Sequence, residues 1–503
     1  MEENKKNLLN KAWEFIDKNS NFLLVIILVF ALILRLKYLT INQAVWYDEA
    51  EYLGVAKNWA FNITSYQLHY VRPPLLPFLM AGLYKVGFDE LAIRVLILVF
   101  SMTGVLFTYL VGKEIFNKWV GLIATFLMSF FYLHLFYSAR IMTDMPSMTL
   151  WLISSWFFWK GYIKNGSKKY LWLLGPLLVA GLLMRFPFGL LAIVLLVYLL
   201  ITEGIKFLKN KDLWIGTALG VISIIPYTIW YYLVYSKVIL LGPAGFYGHF
   251  SQLKEYIQIL PIVFQSPIPG IINLFPYFGN LFILLLFIGI GIALLNLIIG
   301  YDMIRKNEDL KNYLFVLLWL IAPFIFFAFF AGQIAEDRYL FYLYPAAFFI
   351  IGIVLIKIYE LIKKFNRILA LSVILLILVS SSINQISYAD TIIKNKSTSY
   401  IQFREAGGWI KANSNPSEKI IATGEPQLNY YSERNVIYWP EDYEIDEFLE
   451  KNKEVKYIVL SVLEQSPEWT YQWPQKNQDR VVPVQAYFDS QQRPILIIYE
   501  VKR

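Results

Sequence analysis

Residues 21–52 read NFLLVIILVFALILRLKYLTINQAVWYDEAEY: a run free of charge from Asn21 to Leu34, two cations, then Asp48, Glu49 and Glu51 close together. Extended to residue 40, the run reaches the roughly 20 residues a helix needs to cross a bilayer. A basic segment with Lys5, Lys6, Lys11 and Lys18 precedes it and no small-residue cleavage site follows, so it reads as an uncleaved signal anchor. The same rule places further spans near 91–112, 119–137, 146–162, 170–185, 187–202, 213–235, 278–299, 313–331, 345–362 and 368–388, about eleven in all. Hydrophobic residues make up 57% of the 503 and charged ones only 16%, more apolar surface than a soluble core of this length hides, so lipid is part of the solvent. The absence of cysteine excludes disulfides, thiolate metal sites and cysteine nucleophiles.

The net charge of +8 is scattered over short segments, which fits membrane orientation and argues against a nucleic-acid partner. Alternate connections carry the cations: the N-terminus, Lys113 and Lys118, Lys164 to Lys169, Lys206 to Lys211, Arg305 to Lys311, and Lys363 to Arg367. By the positive-inside rule these face the cytoplasm. Residues 41–90, 138–145, the bend at Arg185, 236–277, 332–344 and everything after 388 then face outside. Pro74 to Val86 and Ile257 to Phe264 are apolar but too short to span, and read as interfacial helices. Beyond Asp390 the apolar runs shorten to Lys419–Ala422, Tyr457–Val462 and Pro494–Val501, with a helical pattern over Ile401–Ala412. The expected fold is an α-helical polytopic membrane domain, 1–390, with a small extracytoplasmic α/β domain, 391–503.

Four segments of the outward set carry chemistry. Trp46-Tyr47-Asp48-Glu49-Ala50-Glu51-Tyr52 follows the first span. A carboxylate there is open to general-base work, and a solvated loop or helix start is the alternative. In Arg72-Pro73-Pro74-Leu75 the prolines hold the cation on an extended backbone, where its planar fork suits a phosphate or a lipid headgroup. Arg140 and Asp144, in Ser138-Ala139-Arg140-Ile141-Met142-Thr143-Asp144-Met145-Pro146, are spaced to share a helix face and pair. In Glu336-Asp337-Arg338-Tyr339, followed by Pro345, Arg338 is either neutralised by the two acids or available to an anionic leaving group. His69, Lys85, Arg185 and His249 also fall outside, where a lone histidine or cation is expected to be solvated. Of three histidines one, His134, lies inside a span, which argues against a multi-His zinc site.

These segments, in this order and on one side, resemble the signature of the polyprenyl-phosphate-dependent glycosyltransferases of the GT-C class. That class includes dolichyl-phosphate-mannose protein mannosyltransferases and the aminoarabinose transferase that modifies lipid A. The resemblance covers about the first 390 residues by topology. It implies inverting transfer of a sugar from a dolichyl or undecaprenyl phosphate donor to a protein, lipid or glycan acceptor on the outer face. It implies Asp48, Glu49 and Asp144 as catalytic carboxylates, and Arg72, Arg140 and Arg338 at the donor phosphate. Tyr52, Lys85 and Tyr339 are implied as further substrate contacts, and a divalent cation (Mg or Mn) on Asp48 and Asp144 stays open. An Arg in place of His before the proline pair departs from the eukaryotic protein mannosyltransferases, and the C-terminal domain matches no motif. The rival reading is a transporter or lipid flippase, which would place ionisable residues near the membrane midplane; the one-sided set favours transfer.

Cysteines introduced at Lys168 and Gln475 test the orientation. An impermeant thiol reagent on intact cells should label only the second, and labelling at Lys168 would reverse the topology.

Overall fold

The computed structural model describes residues 19–64, 66–69, 71–236, 250–264, 280–330, 335–441 and 444–502; the basic N-terminal lysines and His249 lie outside them. In chain order the helices are α1 (Ser20–Tyr38), α2 (Tyr47–Phe61), α3 (Leu75–Lys85), α4 (Glu90–Ile115), α5 (Lys118–Phe130), α6 (Tyr132–Tyr137), α7 (Asp144–Phe158) and α8 (Lys169–Met184). There follow α9 (Leu190–Glu203), α10 (Lys211–Tyr235), α11 (Phe250–Val263), α12 (Leu281–Ile299), α13 (Glu308–Phe329), α14 (Tyr344–Lys363) and α15 (Arg367–Asn395). Every expected span is occupied by helix, and the chain is a multi-pass membrane protein. Among the described residues eight segments are long and apolar enough to cross a bilayer: α1, α4, α9 with its flanking turns, α10, and α12 to α15.

The other three expected spans are shorter or broken. Phe131, with extended backbone, separates α5 from α6. The fifteen residues of α7 run on as a π-helical turn over Trp159–Ile163, and α8 has sixteen residues. The expected interfacial segments are helical as α3 and the end of α11.

Asparagines fix where several of these helices start, each accepting from amides of the first turn that have no partner within the helix. Asn117 accepts from Trp119 and Val120, Asn210 from Asp212 and Leu213, Asn280 from Ile283, and Asn307 from Leu310.

Two compact units organise the contacts: residues 1–39, 96–139 and 143–392 form the first, and 40–95, 140–142 and 393–503 the second. In the first, Arg35 of α1 is buried, a charge inside the apolar layer that the sequence reading passes over. Its hydrogen bonds are satisfied locally: Nε donates to Ser101 (2.7 Å), Nη1 to the Ala31 and Ser129 carbonyls, and Nη2 lies 2.6 Å from His134 Nδ1. Such satisfaction is what permits a guanidinium at that depth. Helices α8 and α10 meet through glycines, with no room for a methyl: a Cβ on Gly175 would lie 1.8 Å from the Gly216 carbonyl oxygen.

In the second unit, α16 (Ile401–Asn413), β1 (Lys419–Ala422), α17 (Glu425–Ser432), β2 (Asn435–Ile437), α18 (Ile445–Lys451), β3 (Val455–Ser461), α19 (Glu468–Lys476), β4 (Val481–Phe488) and β5 (Pro494–Val501) complete the chain. The sheet runs β2-β1-β3-β5-β4, with β1 parallel to β2 and β3, and β5 antiparallel to β3 and β4. Alternate residues of its strands feed opposite layers. Ile420, Val459 and Ile498 join Phe403 and Leu428 on one face, while Ile421, Ile458 and Leu460 join Trp439 and Trp473 on the other. The sheet domain does not stand apart from the 40–95 segment. Lys57 pairs with Glu433 at 3.0 Å, Tyr430 donates to Glu90 at 2.8 Å, and the Val45 amide donates to the Tyr431 hydroxyl.

Replacing Gly175 by leucine should destabilise the membrane domain by about 1–3 kcal/mol or more, the usual cost of overpacking. Thermal unfolding in detergent checks this, and an unchanged midpoint would show that α8 and α10 do not meet at the glycines.

Candidate active site

The second unit gathers most of the sequence-predicted residues around the start of α2. Glu49 is 0% exposed. Its Oε2 accepts from the Trp46 amide (2.7 Å) and lies 3.4 Å from Arg140 Nη1, while Oε1 accepts from the Ile141 amide (2.8 Å). Arg140 also lies over the Trp46 ring, 3.8 Å from its centroid, and donates to the Lys396 carbonyl. Glu49 and Arg140 therefore hold one another at the first turn of α2.

That turn presents its neighbours. Asp48 and Arg72 are partly exposed, and Arg72 Nη2 lies 2.6 Å from Asp48 Oδ1 and 2.8 Å from Glu51 Oε2. Tyr52, one turn beyond Asp48 and buried, receives a weak bond from Arg72 Nη1 (3.4 Å) with its ring 5.5 Å from the guanidinium. Burial alone would lower the Arg72 pKa, but Tyr52, Asp48 and Glu51 together outweigh it and hold the cation above its ordinary value. Burial pushes the Glu51 carboxyl up against the opposing pull of Arg72. Glu51 was read in the sequence only as one of three acids, yet it shares the Arg72 fork with Asp48. The spacing of Asp48 and Glu51, one helical turn apart, is the available signal.

A cavity of about 600 Å³ opens beside this group, and Tyr47, Glu51, Tyr66, His69, Arg72 and Glu425 are among the residues that line it. The Tyr47 hydroxyl is pushed up to about 12, first by burial and then by Glu51 and Glu425. His69, expected to be solvated, is part of this lining. Lys85 is exposed in the last turn of α3 and joins no cluster among the described residues.

The first unit holds the remaining residues. The helical spacing expected of Arg140 and Asp144 does not apply, because α7 begins only at Asp144 and residues 138–143 are not helical. The Asp144 carboxylate is ion-paired with Arg185. Arg185, expected to be solvated, is mostly buried and lies 5.3 Å from the Tyr339 ring centroid. Arg338 lies 5.4 Å from that ring and forks onto Glu336, with Nε at 2.5 Å and Nη2 at 3.1 Å. Asp337 turns away to accept from Tyr132 (3.1 Å), and burial pushes its carboxyl up. Of the two acids expected to neutralise Arg338, Glu336 takes its fork, while Arg338 also opposes the upward shift of Asp337.

Asp48 and Asp144 each face a guanidinium through Oδ1, and among the described residues no group of three or more His, Asp or Glu side chains is placed to hold a metal ion.

Residues 71–230 match the family described as dolichyl-phosphate-mannose-protein mannosyltransferase. The fold is similar to that of ArnT from Cupriavidus metallidurans in the apo state, with a TM-score of 0.65 and 13% identity over 94% of this chain and 97% of that one. The same protein bound to undecaprenyl phosphate gives 0.63. The Archaeoglobus fulgidus oligosaccharyltransferase tethered with an acceptor peptide gives 0.57 at 15% identity, over 95% and 74% of the two chains. The arabinofuranosyltransferase AftD from Mycobacteria gives 0.58 at 11%, over 96% and 40%.

The chain has the GT-C fold.

No curated protein matches it by sequence. Within this GT-C chain the family match takes in Arg72, Arg140, Asp144 and Arg185, whereas Asp48 and Arg338 lie outside the matched stretch. Their assignment therefore rests on the geometry above.

Truncating Glu49 to alanine would leave Arg140 buried without its carboxylate, a change that costs on the order of 3–5 kcal/mol. Thermal unfolding should register that loss, and a wild-type midpoint would remove Glu49 as the anchor of α2.

Proposed function

We propose that the chain is an inverting glycosyltransferase that moves a sugar from a polyprenyl-phosphate donor to a hydroxyl acceptor at the extracytoplasmic face. One observation carries this reading: a carboxylate able to take a proton, Asp48, sits 2.6 Å from a guanidinium suited to phosphate, Arg72. The GT-C fold supports it, as do the undecaprenyl phosphate bound by ArnT and the dolichol-phosphate bound by an archaeal oligosaccharyltransferase.

In the proposed reaction the acceptor oxygen bonds to the anomeric carbon while the bond from that carbon to the phosphate oxygen breaks. The leaving polyprenyl phosphate keeps the electron pair, and the acceptor proton passes to Asp48. Without donor, Arg72 neutralises Asp48 and Glu51. A phosphate engaging that fork draws its hydrogen bonds away, so the base is released only when donor is bound. Arg140, committed to Glu49, then acts through position. In the first unit Arg338 and Arg185, both close to the Tyr339 ring, are assigned to anionic substrate groups, and Asp144 orients Arg185.

Asp48→Asn should retain donor affinity and lose on the order of a hundredfold or more in turnover. Arg72→Ala should weaken binding of a radiolabelled polyprenyl-phosphate hexose by on the order of tenfold, with poor rescue by lysine at a forked contact. Wild-type turnover in the Asp48 variant would sink the reading. Activity should also survive EDTA, because guanidiniums already hold both aspartates. Loss of activity restored by manganese or magnesium would recast Asp48 as a metal ligand.

A further inference from the structure

We propose that the cavity beside Arg72 is the acceptor subsite of this reaction and that it takes a saccharide, gripped by Tyr47, Tyr66 and Glu51 from the 40–95 segment and by Glu425, Asn429 and Asn435 from the sheet domain. The inference rests on the proposed transfer and names its acceptor class.

The C-terminal elements are arranged to contribute those groups. Glu425 opens α17 and Asn429 stands one turn later on the same face, while Asn435 opens β2, the edge strand of the sheet. On α2 a glycine faces them, and a Cβ on Gly54 would stand 3.3 Å from Asn429 Oδ1 and 3.4 Å from the Tyr66 ring. The bare backbone lets the amide and the aromatic ring approach α2 closely, one turn from Glu51.

The chemistry of the lining selects the ligand. Beside the Arg72 guanidinium and the His69 imidazole it presents side-chain carboxylates and amides, which pair with neighbouring hydroxyls of a sugar ring. Tyrosine rings supply flat apolar faces for the ring C–H groups, and Tyr47 is 40% exposed. Burial, and then Glu51, pushes the Glu425 carboxyl up. Glu51 and Glu425 oppose an anionic acceptor. The volume, about 600 Å³, lies within the roughly 300–1,000 Å³ that holds a compact ligand and accommodates a short saccharide. Asp48 is ion-paired to Arg72, which lines the same cavity, so the proton acceptor stands at its edge.

The test uses the full chain in lipid nanodiscs without donor. Saturation-transfer NMR is recorded with maltotriose, chitotriose and α-1,2-mannobiose, and with a serine- and threonine-containing hexapeptide. At least one saccharide should bind, and Glu425→Gln and Asn435→Ala should each weaken it on the order of tenfold, the loss of one or two hydrogen bonds. Donor affinity should stay within about twofold of wild type and, in turnover, KM for the saccharide should rise while kcat changes little. Tyr47→Ala, at a partly exposed ring, repeats the measurement if either variant loses its thermal transition. Hexapeptide binding that these substitutions abolish, in place of saccharide binding, would overturn the saccharide assignment. Donor turnover with no saccharide bound by any measurement would overturn the subsite. Saccharide binding lost in the variants of a chain that never turns donor over would keep the subsite and defeat the proposed transfer instead.

Discussion

Glu49 is the acid on which the rest of the second unit's site depends. A carboxylate without exposure is tolerated only when its oxygens are fully engaged, and here two backbone amides and the Arg140 guanidinium engage them. Those contacts bring residues 140–142 against the first turn of α2 and fix the direction in which the turn points. Asp48 and Glu51 follow from that rotation. They lie on the side of α2 that meets Arg72, while Glu49 lies on the side that meets Arg140. Three acids that look equivalent in the sequence thus divide into an anchor and two groups available to substrate.

Guanidiniums are the second organising element. Arg72 bridges two carboxylates, Arg185 holds Asp144, and Arg338 forks onto Glu336. The arginines of these pairs are incompletely buried, unlike the Glu49–Arg140 pair, whose charges are both shut away. Burial therefore separates Arg72, Arg185 and Arg338 from Arg140. Arg35 extends the contrast. Surrounded by Ser101, Ser129 and His134 inside the membrane helices, it has its donors satisfied within the first unit.

The C-terminal domain gains a role from its contacts. Its α17 and β2 supply Glu425, Asn429 and Asn435 to the cavity, and its bonds to Glu90, Lys57 and Val45 tie it to the 40–95 segment. No catalytic motif is needed in such a domain if it shapes what Asp48 of α2 and Arg72 receive.

The sequence by itself determined the membrane class, the helical occupancy of every span and most of the C-terminal sheet, because long apolar runs and short alternating runs are local properties of the chain. It located β1 and β5 at their observed bounds and β3 within two residues. It passed over β2, only three residues long, and β4, an edge strand whose largely unburied face and Pro483 blur the period. The sequence also named Asp48, Arg72, Arg140, Asp144 and Arg338 through their order in the loops. Only the tertiary structure decided who meets whom. The i,i+4 spacing of Arg140 and Asp144 suggested a pair, but a break before α7 sends one to Glu49 and the other to Arg185, a residue dozens of positions away. Ion pairing depends on distances of a few ångströms in space, and neither periodicity nor spacing encodes those once the chain turns between elements.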